Sequence, residues 1–296
     1  MQITATMVKE LRERTGAGMM ECKKALVESS GDIDAAIEQM RMLGQAKAEK
    51  KAGRIAADGV IVLATSADGK QASIVEVNCE TDFVAKDQHF QAFSRQLAAL
   101  VLGSELQDLE ALGAATLESG LSVEQARLEL VTKIGENIRV RRFESIFTEH
   151  AIAGYLHGSR IGVLVEYSGG DAALGKDIAM HVAASNPACV SEQDVSEDTL
   201  SRERNIFTAQ AESTGKPPEI VEKIVQGRLK KYLKEITLLG QPFIKDSDQT
   251  VGQLLDAANA KVARFVRFEV GEGLEKRSEN FAEEVMGQVQ QSQGSG

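Results

Sequence analysis

The chain has 296 residues, 43% hydrophobic and 26% charged, and a formal charge of -10 from 34 Lys+Arg against 44 Asp+Glu. That length suits two or three compact units, and that composition excludes wholesale disorder. The acidic balance argues against general nucleic-acid binding, because phosphate backbones are repelled. Cys22, Cys79 and Cys189 lie far apart and form no CxxC, so neither a disulfide framework nor a zinc site is expected. MQITATMVKELRERTG at the start carries no signal-like apolar run, and no stretch approaches the ~20 apolar residues that cross a bilayer. The expected address is therefore cytoplasmic, with reduced thiols.

Residues 1–45 read as three short helices. Val8 and Leu11 share a face of the first, which ends near Gly16. Met19, Cys22 and Leu26 recur at helical spacing in the second. Asp32 caps the third, where Ile33, Ile37 and Met40 repeat and Gly44 is the expected stop. The segment 46–54 is charged and Ala-rich, either an extension of the third helix or a linker. Its Lys47, Lys50, Lys51 and Arg54 read as a solvated face.

The texture then changes. GVIVLAT (59–65) and ASIVEVNC (72–79) flank a turn at 66–69 and read as a β-hairpin. Phe90, Phe93, Leu97 and Leu100 mark an amphipathic helix over 90–102. A further helix is expected over 122–133 and a strand over 137–147. The pattern repeats with a second hairpin (151–157 and 160–167), a helix (172–185) and a strand (262–270). These are two related units, each an antiparallel sheet with helices on one face. The second unit is interrupted: residues 196–236 read as a helical hairpin bent at STGKPP (213–218), with proline suited to the first turn of its second arm. A last helix is expected from Gly273 to about 289, then a frayed tail.

Reactive chemistry finds little support. Residues 170–177 fit GxxxxGK but end in Asp177, where a phosphate loop needs Ser or Thr for magnesium. The competing reading is a hairpin exit with Asp171 capping a helix. His89, His150, His157 and His181 form no HxxxH or HExxH, so metal catalysis is not expected. His157 beside Gly158 reads as a turn residue, and His181 as a packed helix residue. On the residues alone, Asp82 would be a helix cap and Phe83 a core side chain.

Several motifs nonetheless point one way. VKELRERTGAGMM (8–20) runs into ECKKAL (21–26). EVNCETDFVA (76–85) and IGENI (134–138) follow, then HGSRIGVLVE, HVAASNP, LLGQPF and VGQLL in order. In these motifs the chain resembles the elongation factor Ts family along essentially its whole length. One small departure is Glu80, where a neutral amide also occurs in the family.

The resemblance implies an α+β fold: an N-terminal three-helix domain like ubiquitin-associated domains, two related antiparallel-sheet-plus-helix core subdomains with an inserted helical hairpin, and a C-terminal helix. The expected division is 1–55 for the helical domain and 56–148 for the first core subdomain. The second takes 149–195 with 237–274, the hairpin 196–236, and the C-terminal helix and tail 275–296.

The resemblance further implies a guanine-nucleotide exchange factor that binds elongation factor Tu, GDP-bound and nucleotide-free, without covalent chemistry and without a cofactor. Thr81, Asp82, Phe83 and Val84 are implied to disturb the partner's magnesium and phosphate grip. Met19, Met20 and Lys23 are further contact candidates, with Ile134, Gly135 and His157 behind them. The hairpin serves dimerisation in some members; whether this arm meets another copy or the partner stays open. The rival is an adaptor of the ubiquitin-associated type without exchange activity, for which residues 1–50 suffice and Asp82 and Phe83 are irrelevant.

Overall fold

The computed structural model describes residues 3–15 and 17–274. The helix expected after Gly273 and the tail beyond it lie outside the described residues. The chain opens with α1 (Ala5–Thr15), α2 (Met19–Glu28) and α3 (Ile33–Lys51). They bury Leu11, Cys22, Ala25, Leu26 and Ala36 against one another. Asp32 accepts from Ala35 N–H and caps α3 as expected. Two expectations fail here. Met19 does not join the stripe of Cys22 and Leu26; it stands 62% exposed. Gly44 does not end α3, which runs seven residues further to Lys51. It is instead a crossing point: a Cβ there would stand 2.8 Å from Thr132 Oγ1 on the helix that α3 crosses.

A three-stranded antiparallel sheet follows. β1 (Asp58–Thr65) pairs with β2 (Gln71–Cys79), and β2 pairs on its other side with a later strand, β3. Between β2 and β3 (Arg139–Phe147) lie α4 (Asp82–Ala85), α5 (Gln88–Val101), α6 (Leu109–Ala114) and α7 (Val123–Ile134). A second sheet has β5 at its centre: β4 (Ala151–His157), β5 (Ile161–Ser168) and, closing it late in the chain, β8. Between β5 and β8 (Lys261–Glu269) come α8 (Ala172–Ser185), the hairpin α9 (Glu197–Glu212) and α10 (Pro218–Ile236), then β6 (Pro242–Phe243), β7 (Asp246–Thr250) and α11 (Val251–Ala257). The short α6, β6, β7 and α11 were not expected, since so few residues carry no readable period.

The repeat is sharper in register than in letters. Glu76 lies opposite Arg142, and a bulge then brings Val77 opposite Val140. Glu166 lies opposite Arg264, and a bulge at the same place brings Tyr167 opposite Val262. Each second strand therefore carries its glutamate against an arginine beside the same irregularity.

The two sheets also pack face to face. On β2, Ala72 and Ile74 point inward and meet Leu164, Val266 and Phe268 of the other sheet. Val75 and Val77 point outward onto Phe90, Phe93 and Leu97 of α5. β2 is thus buried on both faces, its polar Ser73, Glu76 and Asn78 included. On the second sheet, Val163 and Val165 pack against Ile178, Ala179 and Val182 of α8. The helical hairpin keeps a small core of its own, Ala211, Val221 and Val225.

Glu76 occupies the inter-sheet face with 0% exposure. Its carboxylate accepts from Arg141 Nη1 at 2.9 Å, Arg142 Nε at 2.6 Å and Asn78 Nδ2 at 3.1 Å. Gly271 N–H, just past β8, donates at 2.8 Å. The bulge skips Arg141 in the pairing, which lets Arg141 and Arg142 reach the same carboxylate. Gly271 has φ +72° and lies against Ala57 O, so a side chain would collide there. Burial alone would raise the Glu76 pKa, but the bonds from Gly271, Arg141, Arg142 and Asn78 outweigh it and hold it below the ordinary 4.5.

Removing the carboxylate strands two guanidinium groups and a backbone donor, so Glu76→Ala should cost about 3 kcal/mol. A lower urea midpoint with unchanged slope checks this. Separately, the stability that comes from the depressed Glu76 pKa is present above pH 4.5 and is lost as pH falls through the folded value.

Candidate functional site

The stretch 80–87 leaves β2 and enters α5. Thr81 is extended (φ -128°, ψ 156°) and caps the single turn α4, its hydroxyl accepting from Val84 N–H. Asp87 caps α5 by accepting from His89 and Phe90 N–H. Caps at Thr81 and Asp87 leave room for one helical turn, whose sides must divide between core and solvent. Val84 and Ala85 turn inward, buried in the cluster of Phe90 and Phe93. Phe83 turns outward and is 81% exposed. The expectation of Phe83 as core is overturned, and the cap is Thr81 rather than Asp82.

Asp82 begins α4 and pairs with Lys86 Nζ at 2.7 Å, one turn on. The hydrogen bond from Lys86 is the chief reason its carboxyl stays below the ordinary range. An exposed anion and an exposed phenyl ring thus sit on adjacent residues of a short, doubly capped turn.

The turn is gripped from behind. Glu136 accepts from Glu80 N–H and Thr81 N–H, both at 3.0 Å, and from the Thr81 hydroxyl at 2.7 Å. In return Glu80 accepts from Asn137 N–H at 2.6 Å and pairs with Arg54 at 3.5 Å. Asn137 Nδ2 donates to Arg54 O at 2.7 Å, and Lys51 Nζ donates to Gly135 O at 2.6 Å. The end of α3, the turn after α7 and the Phe83 loop form one hydrogen-bonded knot. Lys51 and Arg54, expected on a solvated face, are anchors.

The other expected residues divide. Gly135 holds the left-handed C-cap of α7 (φ 90°), a conformation suited to glycine. Ile134 is half-buried against the α5 cluster. Of the two, Gly135 joins the knot, through its carbonyl. Met19 and Met20 are 62% and 76% exposed at the start of α2, and Lys23 is exposed beside them. His157 is exposed at the β4–β5 turn, its Nδ1 within 3.3 Å of Tyr155 Oη. That turn docks on the first sheet: Ile61 N–H donates to Ser159 O at 2.8 Å, and Arg160 pairs with Asp58 at 3.2 Å. Asp58 is the register partner of Cys79, where the Phe83 loop departs. His157 and Phe83 therefore belong to the same end of the molecule.

Sequence reasoning missed Glu136, although it lies inside the IGENI motif. A carboxylate just past a helix C-terminus faces the negative end of the dipole. That misplacement was the available signal that donors wait elsewhere.

Residues 170–177 form no phosphate cradle. Asp171 caps α8 by accepting from Leu174 N–H, and Gly175 and Lys176 lie inside the helix. Gly175 is packed beneath the Tyr167 ring. Among the described residues no His/Cys/Asp/Glu group of three or more is placed to hold a metal, and no helix is long and apolar enough to cross a membrane.

A family model described as Elongation factor TS matches residues 80–272. Elongation factor Ts of Thioalkalivibrio sulfidiphilus is 61% identical over 293 residues, covering 98% of this chain and 99% of the relative. That of Methylococcus capsulatus is 60% identical over 293 residues, covering 99% and 100%. That of Halorhodospira halophila is 59% identical over 292 residues, also covering 99% and 100%.

The division of α4 into an inward and an outward side has a direct test. Phe83→Ala should leave folding stability within about 0.5 kcal/mol, as for an exposed residue without partners. Val84→Ala removes two buried methyl carbons and should cost about 1.5 kcal/mol. Chemical denaturation of both variants beside wild type checks the contrast.

Proposed function

The chain belongs to the elongation factor Ts family and is a translation elongation factor; from that premise we propose that it binds elongation factor Tu with GDP bound and promotes exchange of GDP for GTP. The observation that carries this reading is the 81% exposed Phe83 on a turn pinned by caps and by Glu136. A large apolar side chain held in water by a rigid support suits insertion into a partner.

A GTPase holds GDP through backbone amides around the phosphates and a bridging magnesium ion. An exchange factor needs no reactive group and does no covalent chemistry. It must bind the nucleotide-free form better than the GDP form, and the coupling is reciprocal. Release ~10⁴-fold faster requires a barrier lowered by about 5.5 kcal/mol. In this reading Phe83 enters between elements of the partner and displaces the segments that hold magnesium. Asp82, exposed and anionic, competes for the partner groups that orient the ion's water shell. Thr81 and Val84 hold the turn in shape through the Glu136 bond and the α5 cluster.

Met19, Met20 and Lys23 give the partner a second, softer contact, since methionine adapts to irregular surfaces. His157 adds a contact at the Phe83 end, and the turn of Ile134 and Gly135 supports it. The α9–α10 arm offers exposed Ile206 and Ile220 as a separate surface for a second copy or the partner.

Stopped-flow release of fluorescent GDP from elongation factor Tu tests the proposal. Wild type should accelerate release strongly. The Asp82→Ala, Phe83→Ala double variant should still bind, yet accelerate release at least tenfold less, equivalent to about 1.4 kcal/mol or more of lost barrier lowering. No acceleration by wild type would leave only an adaptor role.

A further inference from the structure

Resting on that reading, we infer that Glu136 is a positioning residue for the exchange step, and that the turn 134–137 fixes the pose of Phe83 relative to α3. Glu136 lies 53 positions beyond Phe83 in the chain, yet it supplies the acceptors for the loop's first two amides and for the capping hydroxyl. Without it, Glu80 N–H and Thr81 N–H lose their partners, and the Thr81 hydroxyl loses the bond that aims it at Val84 N–H. The α4 cap then has no fixed base.

The clasp is two-way. Glu80 accepts from Asn137 N–H while Glu136 accepts from Glu80 N–H, so neither segment can shift alone. Asn137 donates to Arg54 O and Lys51 to Gly135 O, which carries the same connection to the end of α3. The helices that present Met19 and Met20 are thereby tied to the loop that presents Phe83. A grip by one contact sets where the other enters, which a flexible junction would not do.

The geometry separates two substitutions. Glu136→Ala removes every acceptor. Glu136→Gln can keep its carbonyl oxygen on the two amides and turn its NH2 toward the Thr81 hydroxyl, which also accepts. In the isolated protein, amide hydrogen exchange at Glu80 and Thr81 should speed up at least tenfold in Glu136→Ala and stay near wild type in Glu136→Gln. In stopped-flow GDP release from elongation factor Tu, the saturating rate should drop about tenfold or more in Glu136→Ala. The half-saturating concentration should change less than about threefold, and Glu136→Gln should restore the rate. A merely destabilised protein would lose half-saturation and thermal midpoint together, without that split. Faster amide exchange with an unchanged saturating rate would overturn the inference while leaving the exchange reading intact. A wild type that fails to accelerate release would overturn both.

Discussion

A buried carboxylate holds this architecture together. Glu76 sits at 0% exposure in the middle of β2 and collects donors from its own strand, from β3 and from Gly271 just past the end of β8. A charge so placed is tolerable only when its partners are fixed. The β3 bulge aims both arginines, and Gly271 brings a backbone N–H where no side chain fits. Arg142 goes on to cover Phe268 at 4.2 Å and to donate to Glu269 O. The two sheets are thus joined by directional bonds as well as by the apolar contact of Ile61, Ile74, Leu164 and Val266.

That rigidity is what the Phe83 end inherits. β1, β2 and β3 bring Asp58, Cys79 and Arg139 to one end of the sheet. The second sheet adds its 157–160 turn through Ser159 O and Arg160. Upon this base the Glu80–Glu136 clasp holds a single helical turn with its ring outward. An exposed phenyl on a mobile loop would collapse onto the nearest apolar surface; here the inward side of the same turn is already filled by Val84 and Ala85.

Much of the fold was legible because its larger elements bury one face. The helix over 172–185 and the strands over 59–65, 72–79 and 151–157 follow from period and turn residues, and Asp32 and Asp171 cap as their positions suggest. What escaped depends on distant partners. Gly44 looks like a helix stop until Thr132 lies across it. Met19 shares a helical period with Cys22 and Leu26, but nothing packs over the start of α2 to bury it. That the two sheets face one another, and that Glu76 meets Gly271 195 residues away, leaves no local trace. At the site, the motif singled out Thr81–Val84 and IGENI separately. Their junction through Glu136 is long-range, and residue pattern alone placed Phe83 in the core.

The central claim is that Phe83, held outward, makes this protein prefer elongation factor Tu without nucleotide. The most direct measurement is its equilibrium affinity for nucleotide-free and for GDP-bound elongation factor Tu, with wild type and with Phe83→Ala. The account expects wild type to bind the nucleotide-free form far more tightly, and the ratio to shrink at least tenfold in Phe83→Ala. Equal affinities in wild type, or a ratio untouched by losing the ring, would contradict it.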